Sequence, residues 1–317
     1  MPLVIVDSKR YARSNCFVGQ LIEAMDKTSR ENDQKIQMIE LDQLENFGSL
    51  RLAKLSKDGA LLICRQRILN RFFDKNQGLK MFRDIPISIY EQDPWHSYIV
   101  DSESLGFFGK IKSRMNIQNI FLTSEWWSKF VAKQENINTV FVHMWMLPRY
   151  CKQGASLNKR DRKIAFRGAL HPHRKVFFKE MESLGIEIEI NSKRLEYKKY
   201  LKWLSSIGIY IHDESGYFRT IAGDIPMSTA LWAKDIEIAS RGTFVVRNRF
   251  ENESSTYLID KIPLINLFDK FEDVPDLINS IVEKSEKDLK IIAHESVSFI
   301  EKADLWSRTA ELLMRNN

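Results

Sequence analysis

Short apolar runs separated by amphipathic segments recur along the first half of the chain. Residues 3–6 form a wholly apolar run, as buried strands of parallel sheets do, and residues 17–25 carry apolar side chains at helical spacing. The same pattern predicts further strands at residues 35–41, 60–64, 87–90, 120–123 and 140–142. Strands that alternate with amphipathic helices predict a parallel sheet covered by helices on both faces.

A second series of the same kind follows residues 151–162, which are polar and without periodicity. It predicts strands at residues 163–166, 186–190, 207–211, 243–246 and 263–265. It also predicts helices at residues 174–184, 197–205, 274–286 and 287–314, the last with a break. We therefore expect an α/β protein with domains at 1–150 and 163–296, a linker at 151–162, and the ligand in the cleft between the two halves.

Residues 226–248 are predicted to form a helix that stops at Gly242 and leads into the strand at 243–246. Lys234 and Glu237 are three positions apart and so share one face of that helix. Two interpretations stay open. One is an ion pair on a solvated surface; the other is a pair of ligand-holding groups beside a strand end, where open α/β sheets bind nucleotides.

Residues 166–175 (FRGALHPHRK) follow the first strand of the second series. Gly168 allows a tight turn, and a helix beginning near Arg174 and Lys175 would offer free N–H groups and two cations to a diphosphate. The alternative is a solvated basic helix start, which opposes the helix dipole. The absence of GxGxxG disfavours a nicotinamide cofactor, and the absence of GxxxxGK[ST] disfavours ATP in a P-loop.

Residues 90–98 (YEQDPWHSY) follow the fourth predicted strand of the first half. A carboxylate or an imidazole among Glu91, Asp93 and His96 could act there as a general base on an acceptor hydroxyl. The aromatic rings of Trp95 and Tyr98 suit a sugar. The alternative is a structural loop in which Asp93 caps a helix and Trp95 is packed.

Two further segments have less distinctive patterns. Residues 212–220 (HDESGYFRT) combine small and acidic residues that could hold sugar hydroxyls, or they form a flexible loop. Residues 123–130 (TSEWWSKF) predict a helix start capped by Ser124, with the Trp pair in the core or on the acceptor side. Because HExxH and GxSxG are both missing from the sequence, we expect no bound metal and no hydrolase nucleophile.

Composition and charge narrow the class of protein. Of the 317 residues, 44% are apolar and 28% charged, as in soluble globular proteins. The net charge of +6 is scattered, so it fits anionic ligands without being a signature of nucleic-acid binding. Three cysteines without metal-ligand spacing indicate free thiols in a reducing compartment. Because no apolar run is long enough for a signal peptide or a span, we expect a cytoplasmic protein with at most peripheral contact at the inner face of the membrane.

Taken in order, these motifs resemble glycosyltransferases of the GT-B fold, in the group-1 or spore-maturation (CgeB-like) subset. IAFRGALHPHRK looks like that family's strand and Gly–Arg turn at the start of the nucleotide domain. KDIEIASRGTFVV is similar to its helix with a glutamate, and VHMWMLPRY suits the strand that leads into the linker. LWSRTAELL resembles the closing helix, which in this fold crosses back to the first domain and here falls within residues 297–317.

The resemblance implies two Rossmann-like, doubly wound domains facing a cleft, with a UDP- or GDP-type nucleotide sugar bound by the second domain and no metal or other cofactor. Glu237 would hold the ribose hydroxyls. Arg174 with Lys175 or Lys234 would neutralise the diphosphate. The donor-binding residues predicted on this basis are Gly168, Arg174, Lys175, Lys234, Glu237 and Gly242.

The predicted activity is transfer of a sugar to a glycan, a lipid-linked or a protein acceptor, with no nucleic acid as partner. Glu91, Asp93 or His96 would supply the base if the reaction inverts the sugar. Many retaining members of the family carry a second glutamate where this chain has Thr229, so the stereochemistry stays open. The alternative from another class is a non-catalytic bilobed protein that binds a sugar or a nucleotide. A nucleic-acid-binding protein ranks below both, because the positive charge is scattered.

Overall fold

The computed structural model describes residues 3–8, 16–33, 36–46, 59–76, 81–154, 160–193, 195–227, 231–250 and 258–315. The chain divides into two compact units. The N-unit comprises Met1–Met144, Phe218–Ile225 and Leu305–Asn317, and the C-unit comprises Trp145–Tyr217 and Pro226–Asp304. The expected linker at 151–162 is thus counted with the C-unit, and its residues 155–159 lie outside the described ranges.

The N-unit contains a parallel sheet of six strands. They are β1 Leu3–Val6, β2 Gln37–Glu40, β3 Ala60–Ile63, β4 Pro86–Glu91, β5 Asn116–Leu122 and β6 Thr139–Phe141. Their order in the sheet is β2-β1-β3-β4-β5-β6. All of them fall on apolar runs from which a strand was predicted. β1 and β3 are buried along their whole length, because a parallel sheet is packed on both faces.

The helices that connect these strands in the described part of the N-unit follow in chain order. They are α1 Cys16–Glu31, α2 Gln66–Asn76, α3 Met81–Asp84, α4 Phe107–Arg114 and α5 Glu125–Glu135. The predicted cap of α5 is confirmed, because the Ser124 hydroxyl accepts a hydrogen bond from the Trp127 backbone N–H at 3.3 Å. The Trp127 side chain is fully buried and packs against Tyr98 and Phe130, so this Trp belongs to the core of the unit.

A second set of strands follows in chain order. They are β7 Asp161–Arg167, β8 Ile188–Asn191, β9 Ile207–His212, β10 Tyr217–Thr220, β11 Gly223–Pro226, β12 Phe244–Asn248 and β13 Ile265–Phe268. Five of these form the parallel sheet of the C-unit, in the order β13-β12-β9-β7-β8. Its helices are α6 Pro172–Ser183, α7 Tyr197–Leu204, α8 Ala233–Ala239, α9 Val274–Val282 and α10 Glu286–Ala303. Both units are therefore doubly wound α/β structures.

β10 and β11 pair with each other as a two-stranded sheet where the sequence allowed a flexible loop. Phe218 of this hairpin stacks on Trp95 with the ring centroids 5.3 Å apart, and Ile225 is buried in the N-unit core. The Ile221 N–H also donates to the Tyr98 carbonyl at 3.0 Å. The loop interpretation of residues 212–220 is therefore wrong for residues 217–220, because they form β10 and Phe218 packs against Trp95.

The helix predicted within residues 226–248 is much shorter than expected. β11 continues to Pro226, residues 228–230 lie outside the described ranges, and α8 spans only Ala233–Ala239. The helix begins where it does because the Trp232 N–H donates to the Asp235 carboxylate at 2.9 Å, which satisfies one N-terminal backbone group. The position of Thr229, on which the stereochemical argument depends, is among the residues not described.

The last helical segment is divided, as its sequence indicated. α10 ends at Ala303 and is followed by Asp304, which adopts a left-handed conformation with φ of 36°. α11 then spans Leu305–Arg315. Asp is one of the few residue types that tolerate this conformation. α11 packs against α1 within the N-unit, and its Trp306 and Leu313 side chains are fully buried.

Two other features of the described residues bear on the sequence predictions. None of their helices combines the length and the apolar character that a membrane span needs. Cys64 and Cys151 are free thiols, as their spacing indicated, whereas the side chain of Cys16 lies outside the described part.

Removing the α5 cap should destabilise the protein measurably. We expect Ser124→Ala to lower the free energy of unfolding by about 1 kcal/mol, because the Trp127 N–H loses its acceptor. Ser113→Ala is the matched control, since that exposed hydroxyl only bonds back to the carbonyl of Lys110. Urea unfolding monitored by circular dichroism measures both variants. Equal midpoints for the two would contradict the assigned cap.

Candidate functional site

The strand order of the C-unit sheet reverses at β7, because β8 lies on one side of it and β9 on the other. Open α/β sheets bind ligands at the carboxyl ends of their strands beside such a point. Here β7 ends at Arg167 and is followed by Gly168, while β9 ends at His212 and is followed by Asp213 and Glu214. A ligand site is therefore expected at this edge of the sheet.

A row of paired, largely buried ionisable side chains crosses this edge of the C-unit. Arg174 pairs with Glu214, and Glu214 Oε1 lies 3.1 Å from His212 Nδ1. The other ring nitrogen, His212 Nε2, lies 2.8 Å from Asp235 Oδ1. The second oxygen of Asp235 pairs with Arg247, and neither side chain of that pair has any exposed surface. We call these five residues, Arg174, Glu214, His212, Asp235 and Arg247, the charge chain.

The charge chain keeps its two carboxylates ionised. Burial on its own raises the pKa of Glu214, but the hydrogen bond with His212 and the nearby charge of Arg174 hold that pKa well below its usual value. Burial likewise raises the pKa of Asp235, and Arg247 with His212 outweighs it, so the net shift is downward. Each buried charge therefore has an opposite partner, and the desolvation of one group is offset by its neighbour.

Lys234 lies beside the charge chain at the end of β7. Its Nζ donates to the Arg167 carbonyl at 2.9 Å and lies 4.8 Å and 4.7 Å from the ring centroids of Phe166 and Tyr210. Burial lowers the pKa of Lys234 to about 8, so the amine is still mostly protonated at neutral pH. An ammonium group has three donors, so the bond to the Arg167 carbonyl leaves two for a ligand.

Gly168 allows the chain to pass close to this lysine. A Cβ at position 168 would lie 3.0 Å from Phe166 Cζ and 3.5 Å from Lys234 Nζ. Only a residue without a side chain leaves that space open. Two stretches in which a donor site was predicted, around Gly168 and around Lys234, are thus brought together by the sheet.

Arg174 and Lys175 are not equivalent cations, because Arg174 is already paired within the protein. α6 begins at Pro172, and Arg174 in its first turn pairs with Glu214 and donates to the Ala169 carbonyl at 2.8 Å. Its charge is therefore already balanced within the protein. Lys175 is exposed on the next position of the helix. The contribution of either residue to a diphosphate site stays a prediction.

Glu237 lies on α8, whereas Gly242 lies just before β12. Glu237 is one helical turn after Lys234 and is only 2% exposed, so the interpretation of these two residues as a surface ion pair is wrong. Gly242 precedes β12 and therefore lies at the amino edge of the sheet, opposite the charge chain. A Cβ there would contact Arg160 and Gln153, at 3.1 and 3.2 Å. The structure thus places Gly242 apart from the other five predicted donor residues.

Sequence reasoning missed most of the charge chain. Its members His212 and Glu214 were assigned to a loop that could hold sugar hydroxyls, while Asp235 and Arg247 were not singled out. One signal was present, because Arg247 sits within the apolar run TFVVRN. A cation in a strand that is buried on both faces requires an ionic partner. Nothing in the sequence states that the partner is Asp235.

The N-unit sheet reverses its order in the same way, between β1 and β3. Asp7 follows β1 and Arg65 follows β3, and the Arg65 N–H donates to the Asp7 carboxylate at 2.9 Å. Glu91 ends the next strand, β4. A cavity of about 510 Å³ opens at this edge. Its lining residues are Arg65, Gln66, Arg67, Glu91, Asp93, His96, Ile99, Asp101, Ser102, Glu103 and Ser104.

The three residues proposed as the base therefore line one cavity, but their environments differ. Glu91 is buried and accepts a hydrogen bond from the Asp93 N–H at 2.7 Å. Burial, with the nearby Asp93 charge, raises the pKa of Glu91 to about 8, so this carboxyl is mainly protonated at neutral pH. Partial burial and the Arg67 charge lower the pKa of His96, whose imidazole is therefore neutral there. Neutral His96 can accept a proton; protonated Glu91 cannot.

The structural alternative for this loop is correct for Trp95 and wrong for Asp93. Asp93 precedes the short 3-10 helix Pro94–Ser97, but its side chain makes no capping hydrogen bond. Trp95 is packed against Trp127 and Phe218. Asp93 is exposed and lies on the cavity wall, where it is accessible to a ligand. Within the described ranges, no group of three or more His, Cys, Asp and Glu side chains is arranged to hold a metal ion.

Comparison with known proteins shows similarity in structure only. No protein-family profile matches the sequence, and no curated protein sequence does. An α-glucosyltransferase in complex with UDP and a 13-mer DNA containing an HMU base matches with a TM-score of 0.61, 11% identity and 99% of both chains covered. The trehalose-6-phosphate structure from E. coli bound with UDP-2-fluoro glucose matches with a TM-score of 0.58, 10% identity and 100% and 98% coverage. HepE of Anabaena with UDP and glucose matches with a TM-score of 0.58, 10% identity and 99% and 100% coverage.

At this level of identity the matches show the fold and nothing finer. The chain has the GT-B fold, built from two Rossmann-like α/β units with parallel sheets. The fold class predicted from the sequence is therefore confirmed. The assignment to the CgeB-like subset rests on the sequence resemblance alone.

Breaking the charge chain should cost much stability. We expect Asp235→Ala to lower the free energy of unfolding by about 3–5 kcal/mol, because Arg247 is left as a buried charge without its partner. The double variant Asp235→Leu/Arg247→Met should recover a large part of that loss, since it removes both charges. Asp269→Ala is the control, because it breaks an exposed pair with Arg249 and should change little. Urea unfolding of the three variants decides; equal losses for Asp235→Ala and Asp269→Ala would be inconsistent with this account.

The pKa of Glu91 predicts how stability depends on pH. Its folded-state pKa of about 8 lies above the ordinary 4.5, so the folded protein holds the proton more tightly. The resulting stabilisation is complete at low pH and is lost as the pH rises through this window. Relative to Glu91→Gln, the wild-type protein should lose about 1.4 kcal/mol per pH unit between roughly pH 5 and pH 8. Melting curves across this range measure the difference, with exposed Glu180→Gln as control. If the stability of the wild type and that of Glu91→Gln changed with pH in parallel, the pKa of Glu91 would not be raised in the folded protein.

Proposed function

We propose that this chain is a glycosyltransferase that moves a hexose from a UDP- or GDP-type nucleotide sugar onto an acceptor hydroxyl. The observation that carries the proposal is Lys234, held at the switch point of the C-unit sheet with its ammonium group beside Gly168. Two of the similar structures hold UDP and a third holds a UDP-sugar analogue. The GT-B fold together with this cation supports a nucleotide-sugar donor.

The donor diphosphate would lie against the end of β7. Lys234 offers two N–H donors and a positive charge, and the missing side chain at Gly168 lets a phosphate approach the backbone. The N-terminus of α6 adds unpaired N–H groups and a partial positive charge. Arg174 and exposed Lys175 lie in its first turn. Glu237 would hold the ribose hydroxyls, and no metal or other cofactor is required.

The charge chain would act on the donor indirectly. It connects α6, the end of β9, α8 and β12 through two ion pairs, Arg174–Glu214 and Asp235–Arg247, joined by the hydrogen bonds of His212. A rotamer change in any of these side chains would break one of these contacts. Lys234 is the residue before Asp235, so fixing Asp235 also fixes the start of α8. A rigid cation at the departing phosphate stabilises the charge that develops there without reorganisation.

The reaction moves one bond and one proton. The bond from the anomeric carbon to the diphosphate oxygen breaks, and the nucleoside diphosphate leaves with the bonding electron pair. The acceptor hydroxyl oxygen forms the new bond to that carbon, and its proton passes to a base. We assign His96 as this base, because it is neutral at neutral pH and lines the N-unit cavity, with Asp93 as the carboxylate beside it. Whether the sugar is inverted or retained is left open.

The observations say less about the identity of the acceptor than about that of the donor. A glycan, a lipid-linked or a protein acceptor follows from the sequence resemblance. The sequence-based exclusion of nucleic acid is not retained, because one of the similar structures holds DNA. Placement in the cytoplasm, at most in peripheral contact with the membrane, remains a prediction, as does membership of the CgeB-like subset.

Nucleotide binding tests the donor site. We expect Lys234→Ala and Glu237→Gln each to weaken UDP or GDP binding by about ten- to a hundredfold, the loss of one charge-assisted hydrogen bond. Isothermal titration calorimetry measures the affinities, and melting temperatures verify folding. Lys179→Ala, an exposed lysine further along α6, is the control and should bind as the wild type does.

Unchanged binding in both site variants would show that the donor site is misassigned. A broad screen of nucleotide sugars then separates an enzyme from a binding protein. Hydrolysis or transfer by the wild type that falls in His96→Ala supports the enzyme. Tight binding without turnover of any donor would favour the non-catalytic alternative.

A further inference from the structure

The cavity of the N-unit contains polar groups that the proposed reaction does not use. We propose that this cavity selects an uncharged carbohydrate as the acceptor and rejects phosphorylated ones. This inference rests on the proposed glycosyl transfer, because only that reaction makes the bound sugar an acceptor. The preference for uncharged over phosphorylated sugars concerns binding to the cavity.

Two buried oxygen atoms belong to residues that line the cavity and have no hydrogen-bond partner among the described residues. They are Gln66 Oε1 and Glu91 Oε2, on side chains that are 3% and 5% exposed. Other atoms of both residues are held, since Gln66 Nε2 donates to the Asp93 carbonyl and Glu91 Oε1 accepts from the Asp93 N–H. Fixed, buried and unpartnered polar atoms are rare in native proteins unless a ligand or water satisfies them.

Hydroxyl groups match these atoms better than phosphate does. Gln66 Oε1 can only accept a hydrogen bond, and a phosphate ester oxygen that carries charge cannot donate one. A sugar hydroxyl both donates and accepts, so it satisfies an amide oxygen and a carboxyl group in either protonation state. The hydroxyls of Ser102 and Ser104, on the same wall, extend this pattern.

The charge balance of the cavity also opposes an anion. Its described lining includes the guanidinium groups of Arg65 and Arg67 and the carboxyl groups of Glu91, Asp93, Asp101 and Glu103. Glu91 is mainly protonated at neutral pH and Glu103 is paired with Arg71, so the repelling charges are those of Asp93 and Asp101. Arg65 is already paired with Asp7. A phosphate placed here would meet no excess of positive charge, and like charges placed together are a common means of rejecting the wrong partner.

The size and walls of the cavity suit a small glycoside. A volume of about 510 Å³ falls within the range of small-molecule sites, which is roughly 300–1,000 Å³. Ile99 supplies an apolar wall, and its backbone bridge to Thr220 of the hairpin holds that wall in place. His96, the assigned base, lines the same cavity, so a sugar bound there would lie beside it.

Sugar binding by the full-length protein, without a donor, tests the preference. The probes are methyl glucoside and methyl galactoside, each paired with its 6-phosphate, and a short single-stranded oligonucleotide. Saturation-transfer NMR at millimolar ligand gives the affinities. We expect at least one neutral glycoside to bind about tenfold or more tightly than its own phosphate ester. Equal or tighter binding of the phosphate, preferential binding of the oligonucleotide, or no binding of any sugar would overturn the proposal.

Two variants locate the effect in this cavity. Gln66→Leu should weaken binding of the neutral glycoside by about tenfold, because the amide oxygen is lost. Asp101→Asn should narrow the gap between the glycoside and its phosphate several-fold, since one repelling charge is removed. Asp101 is exposed, so this variant stays informative if Gln66→Leu fails to fold. Asp84→Asn, also exposed and outside the cavity lining, is the control and should leave the gap unchanged.

The donor assays run on the same samples separate the two proposals. Selective binding of a neutral glycoside with no turnover of any nucleotide sugar would overturn the proposed transfer reaction alone. Turnover of a donor together with a preference for the phosphorylated sugar would overturn the acceptor preference alone.

Discussion

The ion pair between Arg247 and Asp235 is the interaction on which the C-unit site depends. Both side chains are fully buried, so neither charge is tolerable without the other. Asp235 also accepts the backbone N–H of Trp232, which starts α8, and lies against His212 at the end of β9. The Asp235 carboxylate thus joins β12, β9 and the start of α8. Lys234, the residue before it, is placed at the sheet edge as a consequence.

The two units use the same strand order for different chemistry. In the C-unit the charges at the switch point are paired with one another, and the site offers a ligand a held ammonium group at Lys234. In the N-unit, by contrast, the edge opens into a cavity lined by Gln66 and Glu91, each with a buried oxygen that has no hydrogen-bond partner among the described residues. The first arrangement suits an anionic donor group and the second suits hydroxyls. A shared topology therefore supplies the location of a site but not its specificity.

Local sequence patterns predicted which helices and strands form better than they predicted where each begins and ends. The apolar runs identified the strands of both sheets, and Ser124 was correctly assigned as a cap because capping depends on residues three positions apart. The helix within 226–248 was predicted too long, since its start is decided by Asp235 and by the hairpin that precedes it. The β10–β11 hairpin was missed because Phe218 and Ile225 pack against residues of the N-unit that are far from them in the sequence.

The sequence by itself determined two doubly wound α/β halves and brought attention to Gly168 and Lys234, since periodicity and turn chemistry are local properties. The tertiary structure decided that these two residues meet, that Glu237 is buried, and that Gly242 lies at the opposite edge of the sheet. It also decided that Arg174 is neutralised by Glu214 and that Glu91 is protonated at neutral pH. The charge and the pKa of a side chain depend on partners and burial that arise only when distant segments pack together.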